Sequence, residues 1–356
     1  MSNATAATTS TSNAAPESAT PAQEEKAAAE KAPLRSAAMI ASIADPGVRT
    51  TMAPFGHALN ALAATDDRIV GLTADLGKYT DMHIFAQANP DRFYEMGMAE
   101  QVMMMAAAGM AEVGLIPFAS TYSVFATRRA YDFICLDMAE PNLNVNIVAA
   151  LPGLTTGYGP SHQATEDIAI LRGMPNLTIF DPCDAVDIEQ GVPQLAATPG
   201  PTYTRLLRGA VPRILDDYDY ALELGTARVV RPGQDVVFVA SGLMTMRALL
   251  AAEELAKDGI DVSVVHCATI KPFDAQTVVR EIDTDRPAFT LENHTVVGGL
   301  FDSVARSLIE RGIGRRVTPI GLPDEFLDAG ALPTLHEKYG LATSEVVARV
   351  KATLKA

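Results

Sequence analysis

Cysteine is scarce in this sequence: three residues, Cys135, Cys183 and Cys267, stand far apart among 356, and none forms a CxxC pair. That spacing argues against a disulfide framework or a zinc cluster and fits buried free thiols in a reducing compartment, so a cytoplasmic location is expected. A basic stripe is missing as well. Against 43 acidic residues stand 28 Lys and Arg, and the formal net charge of −15 is spread along the chain. Such a field repels phosphate backbones and anionic membrane surfaces, which argues against nucleic acid and membrane as partners. No apolar run approaches the roughly 20 residues of a spanning helix. The longest lies around Val102 to Ala111, and the first residues lack the basic-then-apolar order of a signal peptide. No repeat of about 20 to 50 residues is visible.

Bulky apolar side chains are nearly absent before about residue 35, where Ala, Ser, Thr, Glu, Lys and Pro dominate. A segment that buries so little cannot offset its ordering entropy, so residues 1–45 are expected to be a disordered tail. From about Pro46 the texture changes. "APFGHALNALAATD" reads as a helix, "RIVGLTADLG" as a strand with a polar loop, and "GLIPFAST", "NVNIVAAL", "LTIFDP" and "PTYTRLLR" as further strands separated by helical patterns. This alternation implies a mostly parallel sheet flanked by helices over 46–225. After a loop region near 209 to 232 the pattern restarts with "DVVFVASG", "DVSVVHCA" and "PAFTLENH". A second, smaller α/β domain is expected over 226–356.

In such sheets functional loops gather at the carboxyl ends of the strands. "TADLGKYT", "ASTYSVF", "PGLTTGYGPSHQ" and "RLLRG" all fall there. In the third, two glycines and a proline shape the backbone just before His162 and Gln163, which both donate and accept hydrogen bonds. Upstream, "YEMGMAEQVMMMAAAGM" sets one acid, Glu100, among methionines, alanines and glycines. In the first turn of a helix it could simply complement the helix dipole from the surface. Met98, Val102, Met103, Met104 and Met105, however, leave no polar face, so the helix is expected to be buried nearly all round and Glu100 to be a buried carboxylate able to exchange a proton with a ligand.

"GLTADLGKYT", "DRFYEMGMAEQ", "FASTYSVFATRRAYDFI", "GPSHQATEDIAILRGMPNLTIFDPCDA" and "TRLLRG", in this order, resemble the pyrimidine-binding domain of thiamine-diphosphate enzymes of the transketolase family. "DVVFVASGLMTMRAL", "DVSVVHCATIKPFD" and "LENHTVVGGL" resemble the C-terminal domain of the same family. Five ordered blocks are far more specific than any single motif. The resemblance implies that Glu100 faces the aminopyrimidine ring of thiamine diphosphate and favours its imino tautomer. It makes Phe125 the stacking aromatic and Tyr122 a wall of the same pocket. Arg128 matches an arginine of deoxyxylulose-phosphate synthases that could flank the ring, and Asp75, with Leu76 beside it, matches a cofactor-side acid. His162 matches a histidine that relays protons at the sugar donor, and Arg208 a position that holds sugar phosphate.

The departures point elsewhere. Tyr158 stands where full-length transketolases carry an aspartate that reads a sugar hydroxyl, and Ala150 where they carry a further histidine. No arginine occupies the neighbourhood of Met52, although Arg49 is close. The family holds diphosphate through Mg2+ or Ca2+ at a GDG sequence, and this chain contains none. A partner is therefore implied, an N-terminal transketolase subunit carrying GDG, in a heterotetramer of two plus two. The activity implied is two-carbon ketol transfer from a ketose to an aldose, with phosphorylated or otherwise anionic sugars among the candidates. The alternatives are the beta subunit of a 2-oxoacid dehydrogenase, a deoxyxylulose-phosphate-synthase-like enzyme, and a non-catalytic subunit that keeps the fold.

Overall fold

The computed structural model describes residues 43–355. Most of the expected tail lies outside the described residues, but its last three do not behave as tail. Ile43 is buried and Asp45 pairs with Arg247 of the second domain. A compositional window averages over many residues and misses so short a contact.

The first domain runs β1 (Thr50–Met52), α1 (Pro54–Ala63), β2 (Ile69–Thr73), α2 (Met82–Ala88), β3 (Phe93–Glu95), α3 (Glu100–Glu112), β4 (Ile116–Tyr122), α4 (Ser123–Phe133), β5 (Asn146–Ala150), α5 (Asp167–Arg172), β6 (Thr178–Phe180), α6 (Ala185–Ala197), β7 (Thr202–Leu206) and β8 (Ala210–Pro212). The second runs β9 (Arg228–Arg231), β10 (Val236–Ala240), α7 (Leu243–Ala256), β11 (Val262–His266), β12 (Thr269–Lys271), α8 (Ala275–Ile282), β13 (Ala288–Thr295), α9 (Leu300–Glu310), β14 (Val317–Leu322), α10 (Leu332–Lys338) and α11 (Thr343–Lys355). Every residue of β2, β4, β5 and β7 is buried. This is why their sequences are continuous rather than alternating: parallel strands are covered on both faces. Proline opens α1, where its missing N–H costs nothing. Asp184 caps α6 by accepting from the amides of Val186 and Asp187.

The larger sheet has the order β12-β6-β7-β5-β4-β2-β3, the smaller one β14-β13-β10-β11-β9, and β1 pairs with β8. Within the larger sheet all neighbours are parallel except β12, which joins β6 antiparallel through Thr269 opposite Phe180. The second domain thus lends its own strand to the sheet of the first. The stretch expected as a loop near 209 to 232 holds β8 and β9, whose three and four residues are too few to carry a period. Register sets Thr73 opposite Ser120, Tyr122 opposite Ala150 and Ala150 opposite Leu206. The carboxyl ends of β2, β4, β5 and β7 therefore lie side by side, and the loops leaving them share one edge.

Candidate active site

Glu100 is the first residue of α3 and is 2% exposed, which rules out the surface acid. The helix around it is not enclosed all round, contrary to expectation. Met103 and Met104 are fully buried, whereas Met98, Val102 and Met105 are 80%, 52% and 50% exposed. A helix apolar on every side offers no pattern that separates core from uncovered face. The Glu100 carboxylate accepts from Arg129 Nη1 at 3.1 and 3.3 Å. The same guanidinium lies over the Phe125 ring, its Cζ 4.0 Å from the centroid.

Around Phe125 the aromatics converge. Tyr122 is 5.8 Å and His162 5.6 Å from it by ring centroids, His162 is 6.0 Å from Tyr122, and half-exposed Tyr158 is 5.4 Å from His162. His162 Nδ1 meets Ser161 Oγ at 2.9 Å. Burial, and then the Arg129 charge, lowers the His162 pKa below the usual histidine value, so the ring is neutral near pH 7 and free to take a proton. Four residues expected from sequence (Tyr122, Phe125, Tyr158 and His162) thus form one cluster, joined to Glu100 through Arg129.

Arg128, expected to flank the cofactor ring, is turned to the loop: its Nε binds Glu166 Oε1 at 2.5 Å, Nη1 the Pro160 carbonyl at 2.9 Å and Nη2 the Gln163 carbonyl at 3.3 Å. Helix geometry gives the reason. At about 100° per residue, the fourth residue after Phe125 lies roughly 40° from it around the helix, the third roughly 60° to the other side. Arg129, missed from sequence, faces the ring and Arg128 faces the loop. Gln163, read as a ligand-facing amide, is turned inward and donates to the Thr156 and Asp328 carbonyls, each at 3.1 Å.

The loop carrying Tyr158 and His162 is held from below by the second domain. Leu154 N donates to Asn293 Oδ1 at 2.8 Å, and Gly330 N to the Gly157 carbonyl at 3.0 Å. Gly153, at φ +56, has no room for a side chain, since a Cβ would fall 2.1 Å from the Asn293 carbonyl oxygen. Beneath it, buried Arg205 binds Asp167 at 2.9 and 3.1 Å, Asp181 at 3.1 Å and the Asn293 carbonyl at 2.9 Å. Breaking such a buried pair costs about 3–5 kcal/mol.

The remaining expected residues lie along the rim. Arg208 is directed at Tyr79, 6.0 Å from its ring centre. Its neighbour Gly209 donates N–H to Asp81 Oδ2 at 2.9 Å, and burial raises the Asp81 pKa. Asp75, exposed and at φ 56, stands just past the end of β2. Its amide donates to Glu95 Oε1 at 2.7 Å, which also accepts from Gly97 N at 2.9 Å. Glu95 thus ties the end of β2 to the approach to Glu100. Leu76, half-buried against the core, accepts through its carbonyl from Tyr79 N at 2.8 Å. Tyr79, Asp81 and Glu95 were not singled out from sequence, and only their closeness to expected residues could have signalled them. Among the described residues no cluster of His, Cys, Asp and Glu could hold a metal, and no helix is long and apolar enough to cross a membrane.

Comparison with known proteins gives this geometry a family. Residues 48–213 match the transketolase pyrimidine binding domain and 225–346 the transketolase C-terminal domain. A transketolase family protein of Sinorhizobium fredii is 60% identical over 328 residues, 92% of this chain and 95% of its own length. A 6-deoxy-6-sulfo-D-fructose transketolase subunit of a Clostridium species is 40% identical, over 80% of this chain and 88% of its own. A 1-deoxy-D-xylulose-5-phosphate synthase of Syntrophotalea carbinolica is 34% identical over 83% of this chain, which spans 47% of that protein. Among solved structures, a split gene transketolase described as an inactive beta4 tetramer superposes with a TM-score of 0.78 at 40% identity, covering 86% of this chain and 99% of that one. The chain belongs to the transketolase family, of which it carries the pyrimidine-binding and C-terminal domains.

Proposed function

We propose that this chain is the C-terminal, beta subunit of a split thiamine-diphosphate-dependent transketolase. It would transfer a two-carbon ketol unit from a ketose to an aldose, with the diphosphate and its Mg2+ or Ca2+ on a GDG-bearing partner in a two-plus-two assembly. The observation that carries the reading is the Arg129 guanidinium, a planar donor held between the Phe125 face and the buried Glu100 carboxylate. An aminopyrimidine ring makes the same two demands, a flat face to stack on and an acid at its ring nitrogen, so the residues present fit the group. When bound, thiamine diphosphate supplies the carbanion chemistry of ketol transfer. Glu100 would hold or move a proton at the ring nitrogen, Phe125 and Tyr122 would orient the ring, and Arg129 would have to swing aside. His162, neutral near pH 7, would take and return a proton at the donor's hydroxyl or carbonyl, with Tyr158 beside it. Asp75 and Leu76 would border the cofactor, and Arg208 would meet an anionic end of the sugar.

Two further observations support the reading. The apolar face of Met98, Val102 and Met105 is uncovered next to Glu100, as a partner closing over the cofactor would require. The Clostridium relative, by its name, acts on a sulfonated ketose, which favours an anionic substrate.

The test is calorimetric titration of the purified chain with thiamine diphosphate and Mg2+, alone and with the GDG subunit. Weak binding and no turnover alone, and ketol transfer on mixing, are expected. Micromolar affinity with turnover by this chain alone would overturn the split site. Pyruvate-dependent condensation without ketol transfer would favour the deoxyxylulose-phosphate-synthase reading, for which the 34% identity speaks.

A further inference from the structure

Away from that edge, a cleft of about 370 Å³ opens where Asp45 meets Arg247 of α7, Leu332 and His336 of α10, and Thr343 and Ser344 of α11. Its volume lies in the range of small-molecule sites, about 300–1,000 Å³. Asp45 lines it and meets its cation as a bound anion would. One carboxylate oxygen is 2.9 Å from Arg247 Nη2 and the other accepts from Thr343 Oγ1 at 2.6 Å. Asp45 belongs to no helix or strand, and its segment is held locally by a turn from Val48 N to the Asp45 carbonyl at 3.1 Å. The cation beneath it is fixed. Arg247 is 7% exposed on α7, and its Nε finds no hydrogen-bond partner among the described residues. A buried guanidinium left short of acceptors favours any anion that can reach it.

The cleft is wired to the candidate active site. Arg247 Nη2 donates to His336 Nδ1 at 3.3 Å. Nδ1 therefore accepts, and the ring proton rests on Nε2, which donates to the Leu154 carbonyl at 2.7 Å. Burial pushes the His336 pKa down to about 4, which keeps the ring neutral and this tautomer in place. Leu154 opens the loop that carries Tyr158 and His162.

We propose that this cleft is a binding site for a small anion, a carboxylate or a phosphate monoester, whose place on Arg247 and Thr343 is taken in cis by Asp45. An external anion that displaces Asp45 changes the hold of Arg247 on His336, and so the setting of the loop from Leu154 to His162. The site lies outside the cofactor pocket, and its test needs no turnover, so it stands or falls apart from the transketolase reading.

The experiment uses the full chain at fixed ionic strength, titrated in a calorimeter with inorganic phosphate and, separately, with succinate. Asp45→Ala should gain a saturable single site at least 10-fold tighter than wild type, and the tighter of the two probes identifies the anion class. Thr343→Val in the same background should weaken it about 5-fold, and Arg247→Gln should abolish it. If Asp45→Ala fails to fold, Asp45→Asn, which keeps the shape without the charge, takes its place. At saturating anion, hydrogen exchange of amides 43–45 should rise and that of 154–162 should change. Failure of both Asp45 variants to bind either anion more tightly than wild type would overturn the proposal, as would binding that persists with Arg247→Gln. Unchanged exchange at 154–162 under saturation would overturn the relay.

Discussion

Phe125 and Arg129 stand one helical turn apart, and the chemistry proposed for the site depends on that spacing. Arg129 presents to Glu100 and Phe125 a flat group with an N–H aimed at the carboxylate, the contact that an aminopyrimidine would make once Glu100 has passed its proton to the ring nitrogen. Glu100→Gln keeps the shape and loses the acidic proton, so ketol transfer in the reconstituted complex should fall by about 100- to 10,000-fold while subunit assembly is unchanged. Turnover near wild type would return Glu100 to a purely structural part. Arg128 supports a contrasting expectation. Because it braces the Pro160 and Gln163 carbonyls, Arg128→Ala should raise KM about 3- to 10-fold and speed amide exchange over 158–166, with cofactor affinity unaltered. A loss of cofactor affinity would place it at the ring after all. Arg208 faces Tyr79 on the rim, and one charge-assisted contact contributes about 1.5–3 kcal/mol. Arg208→Ala should therefore raise KM for an anionic acceptor by about 10- to 150-fold and leave a neutral aldose nearly unaffected. Equal loss for both would remove its role in reading charge.

Among the elements, the loop between β5 and α5 shows how far the sequence could be read. Its glycines and proline marked it as shaped backbone, and its place after a continuous apolar strand marked it as an edge loop; both come from local chemistry. What the sequence did not reveal is what the loop rests on. Asn293, Asp328, Gly330 and His336 lie more than a hundred residues away, and no local pattern encodes such a contact. The same limit explains the three-residue strands β1, β8 and β12, which form because a partner strand is presented to them rather than from their own propensity. It also explains α3 and the turn before it, where the uncovered Met98, Val102 and Met105 read from sequence as core. Gly157 tests the rest of the loop. A Cβ there would lie 1.9 Å from the Gly330 carbonyl oxygen, a backbone atom that cannot swing away. Gly157→Ala should destabilise the chain by about 1–3 kcal/mol, lowering Tm, and should raise KM by displacing Tyr158 and His162. Gly173→Ala, where no atom lies within 4 Å of the added Cβ, is the control and should change neither.

At the scale of the whole molecule, the two domains meet over buried ionisable groups, and these set how stability varies with pH. His294 and His336 are almost wholly buried, and burial lowers both to about 4. The unfolded chain takes up protons below the usual histidine pKa of about 6.5 that the folded chain refuses, so their contribution is lost as pH falls from there toward 4. Glu292 has the opposite sign. Burial raises it to about 8, against the pull of the Leu300 and Phe301 amides that donate to it at the start of α9 at 2.6 and 3.0 Å. The folded chain keeps a proton that the unfolded chain gives up above about 4.5, so this contribution is present at low pH and is lost as pH rises to about 8. From 4.5 to 6.5 the two effects oppose each other; from 6.5 to 8 the histidines are silent and Glu292 acts alone among the three. Glu292→Gln keeps a carbonyl oxygen for the α9 amides and cannot ionise. Urea unfolding of wild type at pH 6.5 and pH 8 should therefore show a fall that approaches about 1.4 kcal/mol per pH unit, and the variant should show a slope smaller by that amount while being no more stable at pH 6.5. Parallel slopes in the two proteins would mean that the Glu292 proton is not taken up on folding, and that the carboxylate at the head of α9 is charged in the native state.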